Sequence, residues 1–184
     1  PYPHVHQINI SDGGVPKRPV LEAMVLTNGV VGDGQRNRKF HGGPDRALCL
    51  FSLELIERLQ DEGHPIDAGS CGENLTLAGL DWNLVRPGTR LSVGPDLLLE
   101  VTAYTEPCRK TGRWFRDGNF LRISHKVNPG WSRVYARVLR EGLVRPGDVT
   151  TIETEGPRGE GRPAKPPRVK RPVTSQPLSR LFRV

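Results

Sequence analysis

The chain of 184 residues predicts a mainly β domain with flanking helices (α+β), its strands forming a β-barrel. Three observations carry this expectation. Short apolar runs with period-two alternation recur along the chain. Turn signals rich in Gly and Pro separate them, and only two stretches carry helical spacing. Many short strands with few helices favour a barrel with helical decoration.

Residues 5–10 read as a first strand, closed by a turn at Asp12-Gly13-Gly14. Residues 22–27 form a second strand and residues 47–51 a buried third. Ser52 is placed to cap a helix running through Glu62, with Leu53, Ile56 and Leu59 on one face. Glu54 and Arg58 are spaced for an i,i+4 pair, and Gly63 stops the helix. Residues 91–93 and 97–104 flank Gly94-Pro95-Asp96 as a tight hairpin whose second strand runs into Cys108. A second helix is expected over residues 131–141, with Val134, Tyr135, Val138 and Leu139 inward. The pentapeptide Leu-Val-Arg-Pro-Gly occurs at 84–88 and again at 143–147. Each copy reads as a type II turn leading into a strand, at 89–93 and 149–152.

Charge divides the chain. The formal net charge is +7, and the last 29 residues hold eight Lys or Arg against one acid, Glu160. Residues 1–155 therefore balance, with 19 basic and 19 acidic side chains. That stretch has the length of one domain with one core. Residues 156–184, rich in Pro and Arg and poor in apolar residues, are expected to be a disordered or surface-wrapped tail. Only residues 177–182 carry enough apolar character to dock. No run approaches a membrane span. The chain opens Pro-Tyr-Pro-His-Val-His, with neither an initiator Met nor a signal-like segment, which leaves its true start open. Three cysteines at irregular spacing give neither a disulfide framework nor zinc-ligand spacing, and a reducing cytoplasm is the expected compartment.

Cys108 is the residue richest in chemical implication. It follows Pro107, which does not fit a central strand, and precedes Arg109 and Lys110, whose charges favour a thiolate. A thiolate attacks electrophiles and binds soft metals; a small buried hydrophobe is the alternative. Two further segments are dense in chemistry. Residues 32–46 combine glycines that let a ligand approach the backbone with cations suited to a phosphate. Residues 69–75 are the second; each segment taken alone is equally a tight turn.

Together these residues resemble a known family. Lys17, Gly32-Asp33, His41-Gly42-Gly43-Pro44-Asp45-Arg46-Ala47, Gly72-Glu73-Asn74-Leu75 and Pro107-Cys108 stand in the order found in the MOSC domain. That domain is named for the C-terminal part of molybdenum-cofactor sulfurase, and the likeness is to its small stand-alone bacterial members. It runs from about residue 5 to residue 152 and leaves the tail uncovered.

The resemblance implies a barrel whose key cysteine either ligates molybdenum in bound molybdopterin or carries sulfane sulfur. A carrier would receive that sulfur from a cysteine desulfurase dependent on pyridoxal phosphate. Cofactor-binding members reduce N-hydroxylated small molecules with electrons from a partner protein. Carried over residue by residue, Cys108 becomes the catalytic cysteine and metal ligand. His41 becomes a catalytic and cofactor-binding candidate, or a brace for its Gly-Gly turn. Lys17, Arg46, Asn74, Arg109 and Lys110 become candidates for holding the cofactor. Arg46 has internal pairing with Asp45 or Glu73 as its alternative, and Lys17 simple solvation. Asp33 and Asn74 also suit turn shaping. Glu73 suits a buried hydrogen-bond hub or a proton carrier. Arg122, Ser124 and His125 are further residues within sequence reach of the pocket.

Cys71 departs from the family pattern by preceding Gly-Glu-Asn-Leu; it reads as an inert small residue, or as a resolving partner for Cys108. Cys49 reads as packing. The tail replaces the helical extension of some relatives, which bears on any docking of an electron donor. Three functions stay open at this point: a molybdenum-cofactor-dependent oxidoreductase, a sulfur carrier, and a binding module acting through its basic tail. The neutral sum of the core counts against the third, and nucleic acid is expected to bind only weakly, through the tail.

Overall fold

The protein is described by a computed structural model covering residues 2–34 and 43–153. His41 and the basic tail lie outside the described residues, and so does the apolar stretch at 177–182.

Eleven strands and one α-helix make up the described fold. In chain order they are β1 (His4–Ile10), β2 (Arg18–Val20), β3 (Ala23–Leu26), β4 (Gly29–Val30) and β5 (Leu48–Ser52). Then come α1 (Leu53–Asp61), β6 (Leu75–Ala78), β7 (Arg90–Val93), β8 (Leu97–Tyr104), β9 (Val134–Arg140), β10 (Gly142–Val144) and β11 (Thr150–Glu153). Eight strands form one sheet in the order β11-β7-β8-β9-β5-β6-β1-β2, and β10-β3-β4 form a second. Every pairing is antiparallel except β5 with β6. A parallel pair needs a crossover, and α1 supplies it by packing Leu55, Ile56 and Leu59 inward. All five residues of β5 are buried, as its unbroken apolar run requires.

The expected barrel is not closed by these ladders, because β11 and β2 remain edges of the large sheet. β2 pairs only with the Ile8–Ile10 half of β1, which leaves the His4 end able to meet another strand. There His4 forms one antiparallel bridge with Val149. Val5 N–H donates to the Asp148 carbonyl at 2.9 Å, and Thr150 N–H donates to the Pro3 carbonyl at 2.9 Å. The sheet edges are thus tied at one corner rather than along a full ladder.

The helix expected over residues 131–141 is instead β9. Ala136 pairs with Leu48 of β5 and with Val101 of β8, so this segment is a central strand. Its buried residues, Val134 and Ala136, follow period two, and pairing on both sides overrides the helical spacing of its apolar set. The first helix forms as expected. Ser52 Oγ accepts the Leu55 N–H at 3.3 Å, and Gly63 ends the element at φ 86°. Glu54, however, accepts hydrogen bonds from Gly79 N–H and the Ser52 hydroxyl rather than reaching for Arg58. Ser52→Ala is expected to cost about 1 kcal/mol in urea unfolding through loss of the cap.

Both Pro-Gly turns take the expected geometry. Gly88 and Gly147 sit at φ 93° and 92°, and Thr89 N–H and Asp148 N–H close the turns onto Arg86 and Arg145. The core runs through the large sheet, with Ile8, Leu50, Phe51, Leu75, Leu91 and Leu99 fully enclosed. No helix among the described residues is long and apolar enough to cross a membrane.

Candidate functional site

β8 delivers Cys108. After Tyr104 the chain keeps one more bond to the β9 side, Thr105 N–H to the Arg133 carbonyl at 3.0 Å, and then reaches buried Pro107. Cys108 itself is extended (φ −121°, ψ 163°) and caps a 3₁₀ turn over Arg109–Trp114. Its carbonyl accepts from Thr111 N–H at 2.9 Å and from the Thr111 hydroxyl at 2.7 Å. The backbone is held from below while the thiol stays exposed.

The other two cysteines are enclosed. Burial pushes the Cys49 thiol up to about 11 and the Cys71 thiol up to about 12. Cys71 is therefore a poor thiolate, which argues against a resolving role. Cys108 lies within electrostatic range of Cys71 and of the phenol of Tyr135.

Beside the buried Cys71 lies a layer of buried polar groups. Arg133 is enclosed and donates from Nη1 to the Cys71 carbonyl. Its charge acts on Cys49, Cys71 and Glu73. Glu73 is fully buried; Oε1 accepts from Gly69 N–H at 2.5 Å and from the Thr76 hydroxyl at 3.4 Å. Its Oε2, like Arg133 Nε, has no hydrogen-bond partner among the described residues. Burial raises the Glu73 pKa above the ordinary carboxyl range, which favours the neutral acid.

A folded-state pKa above the unfolded value penalises stability only above the unfolded pKa, and the penalty grows as pH rises toward the folded value. Glu73→Gln lacks that penalty. Its stability relative to the parent should be constant below pH about 4 and should climb as pH is raised from there. Urea midpoints across a pH series measure the difference, and a flat difference would show that the carboxyl ionises freely.

The candidate cations divide into different roles. Arg46 ends a short 3₁₀ turn over Pro44–Arg46 and lies 5.3 Å over the Tyr135 ring. The Thr102 hydroxyl donates to the Asp45 carbonyl at 2.5 Å and so fixes that turn beside β8. Arg109 and Lys110 are exposed immediately after the thiol. Lys17 enters as half of an ion pair with Asp33, its side chain only 11% exposed.

Asn74 is engaged within the fold. Its Oδ1 accepts Cys49 N–H at 3.1 Å, and its Nδ2 donates to Asp33 Oδ2 at 2.9 Å and to the Asn9 carbonyl at 3.4 Å. With both ends of its amide hydrogen-bonded and the side chain buried, it braces the strands.

Of the further residues, Arg122 is engaged by other partners. It grips Glu62 with two nitrogens and lies 3.5 Å over the Trp131 ring. Ser124 is buried, and His125 stacks on Tyr104 with centroids 3.5 Å apart. Sequence reasoning missed Arg133 and Tyr135 because the assumed helix hid them. The available signal was Arg133 leading directly into Val134-Tyr135-Ala136-Arg137-Val138, whose apolar residues Val134, Ala136 and Val138 also fit period two.

This combination of one exposed thiol and an enclosed Arg/Glu layer is found in a chain whose residues 37–151 match the family model of the MOSC domain. The chain belongs to the MOSC domain family. A stand-alone relative from Bacillus subtilis, the uncharacterized protein YflK, is 32% identical over 148 residues, covering 79% of this chain and 66% of YflK. Protein YiiM of Escherichia coli is 30% identical over 144 residues, covering 72% of this chain and 64% of its own. A protein of Gibberella moniliformis named "Reductase" is 30% identical over 129 residues, 67% of this chain but only 22% of that protein. The chain thus spans just under two thirds of the two bacterial relatives and a small part of the fungal one. Among solved structures, YiiM from Geobacillus stearothermophilus superposes with a TM-score of 0.65 at 25% identity, over 83% of this chain and 75% of that one. The YUAD protein of Bacillus subtilis, at 19% identity and a TM-score of 0.60 over 80% of this chain and 93% of its own, shows that the MOSC fold is kept at lower similarity.

Proposed function

We propose that this MOSC domain binds molybdenum cofactor with Cys108 as the metal ligand and supports reduction of N-hydroxylated small molecules. The observation that carries the reading is the contrast among the three cysteines. Two are sealed in the core with raised pKa values, and one is presented at the surface on a backbone fixed by Thr111. A soft metal needs a sulfur ligand within its reach.

The surrounding residues fit the group. Arg46, Arg109 and Lys110 are exposed cations on the two segments flanking the thiol, suited to a phosphate. Lys17, paired with Asp33, contributes mainly to the shape of the neighbouring loop. When bound, the cofactor would supply the two-electron redox chemistry. The protein's own part is positional and electrostatic. Thr111 fixes the backbone of the cysteine, Arg46 lies over the Tyr135 ring, and Arg133 holds the Cys71 carbonyl. Glu73, favoured as the neutral acid, keeps a proton in the buried layer. Relatives that include a protein named "Reductase" support the redox reading. Electrons would come from a donor protein.

Molybdenum and pterin content, measured on protein purified anaerobically from a cofactor-competent host, tests the reading. One metal and one pterin per chain are expected. No metal, but a persulfide on Cys108 after incubation with a cysteine desulfurase, would replace this function with sulfur carriage.

A further inference from the structure

The even balance of 19 basic and 19 acidic residues in positions 1–155 conceals a strong separation. Residues 109–126, which follow the thiol directly, hold six basic side chains and one acid, Asp117, for a net +5. The rest of positions 1–155 therefore carries −5. The basic residues are Arg109, Lys110, Arg113, Arg116, Arg122 and Lys126.

Two of the six are matched by acids. Arg122 is bound to Glu62, and Lys126 sits 2.7 Å from Glu106. Arg109, Lys110, Arg113 and Arg116 are exposed and form no salt bridge among the described residues, with Asp117 the acid on which the Arg116 charge acts. Three residues per turn bring positions i and i+3 of a 3₁₀ turn onto one face, so Lys110 and Arg113 stand in a row. Arg113 Nη2 donates to the Val15 carbonyl, and Arg116 folds over Gly63 at the end of α1. At about 2 Å per residue, the row begins beside the thiol and reaches roughly 10 Å from it at Arg113.

We propose that this basic collar is the docking surface for an acidic electron-carrier protein that serves the Cys108 site. The proposal rests on the redox function above. It names the surface and the chemistry of the partner. Removing oxygen from an N–OH group takes two electrons and two protons and yields N–H and water. An iron–sulfur or flavin protein supplies the electrons in two one-electron steps and is itself oxidised. A negatively charged carrier is attracted to the collar and disfavoured by the acidic remainder of positions 1–155, which steers it, within that domain, to the edge where the thiol is exposed. Nucleic acid suits the collar less well. Single strands are held by exposed aromatic rings, whereas Trp114, Phe115 and Phe120 are packed against the core.

The test uses the full chain and an acidic plant-type [2Fe–2S] ferredoxin as probe. Binding is followed by calorimetry over a salt series, and reduction of the cofactor-loaded protein is followed by stopped flow. Arg113→Glu/Arg116→Glu should weaken ferredoxin binding about tenfold or more and slow ferredoxin-driven turnover to match. Arg113→Lys/Arg116→Lys should keep both near the parent values, which separates charge from packing. Turnover at saturating dithionite should be the same in all three proteins. Unchanged ferredoxin affinity in the Glu variant would overturn the docking surface while leaving the redox function intact. So would tighter binding of a 20-nucleotide single strand than of ferredoxin, lost in the same variant. A loaded protein that dithionite cannot drive would overturn the redox function and the docking proposal together.

Discussion

Cys108→Ala should empty the site of molybdenum while leaving the fold intact. The side chain is exposed, and both bonds that fix this position are made to the backbone carbonyl, which alanine retains. Thermal stability should therefore change by less than about 0.5 kcal/mol, as for a surface substitution. Metal content should fall from near one per chain to background, and N-hydroxyl reduction should disappear with it. Cys71→Ala and Cys49→Ala are the informative contrasts. Both remove buried groups and should lower stability, yet neither should remove the metal, because burial holds those thiols protonated. Retention of metal by Cys108→Ala would rule out the cysteine as ligand. A stability loss of several kcal/mol would instead mark Cys108 as a packing residue.

Arg133→Met should be the most destabilising single change at the site. The guanidinium is enclosed, holds the Cys71 carbonyl and faces Glu73 from within the core. Methionine fills similar space but leaves that carbonyl without its donor and Glu73 without its nearest cation. The loss should be about 3 kcal/mol, most of it the cost of unsatisfied buried polar groups. For a domain of this size that corresponds to a melting point lower by roughly 6–12 °C. A combined Arg133→Met/Glu73→Gln protein should recover part of the loss, since it also removes the stranded carboxyl. Additive losses would mean that the two groups act independently.

Much of the fold was legible because local chemistry and tertiary context agree there. Ser52 and Gly63 bound α1 through cap geometry that depends on a few neighbouring residues, and the two Pro-Gly turns need only the positive φ of Gly88 and Gly147. β9 was not legible. Its apolar residues fit both 3.6- and 2-residue periods, and only the partners on each side, β5 and β8, decide between them. That error carried into the site by hiding Arg133 and Tyr135. Closure of the barrel was likewise beyond local reading, because it depends on how far β2 covers β1. The candidate cysteine stood out from its immediate neighbours. The role of Asn74 did not, since its partners Asp33, Cys49 and Asn9 lie far from it in sequence. The basic collar was present in the sequence throughout but disappeared into a balanced total.

The corner at which β1 meets the approach to β11 also governs how this domain can be joined to others. Pro3 and Thr150 share a hydrogen bond, so the polypeptide enters and leaves the sheet at adjacent points. A unit with neighbouring entry and exit can be spliced into a surface loop of a host protein without stretching either connection. The same adjacency lets a short peptide bridge residues 3 and 153, with new ends opened at the exposed Pro87-Gly88 turn. The tie that leaves the barrel incomplete thus makes the domain a portable cassette.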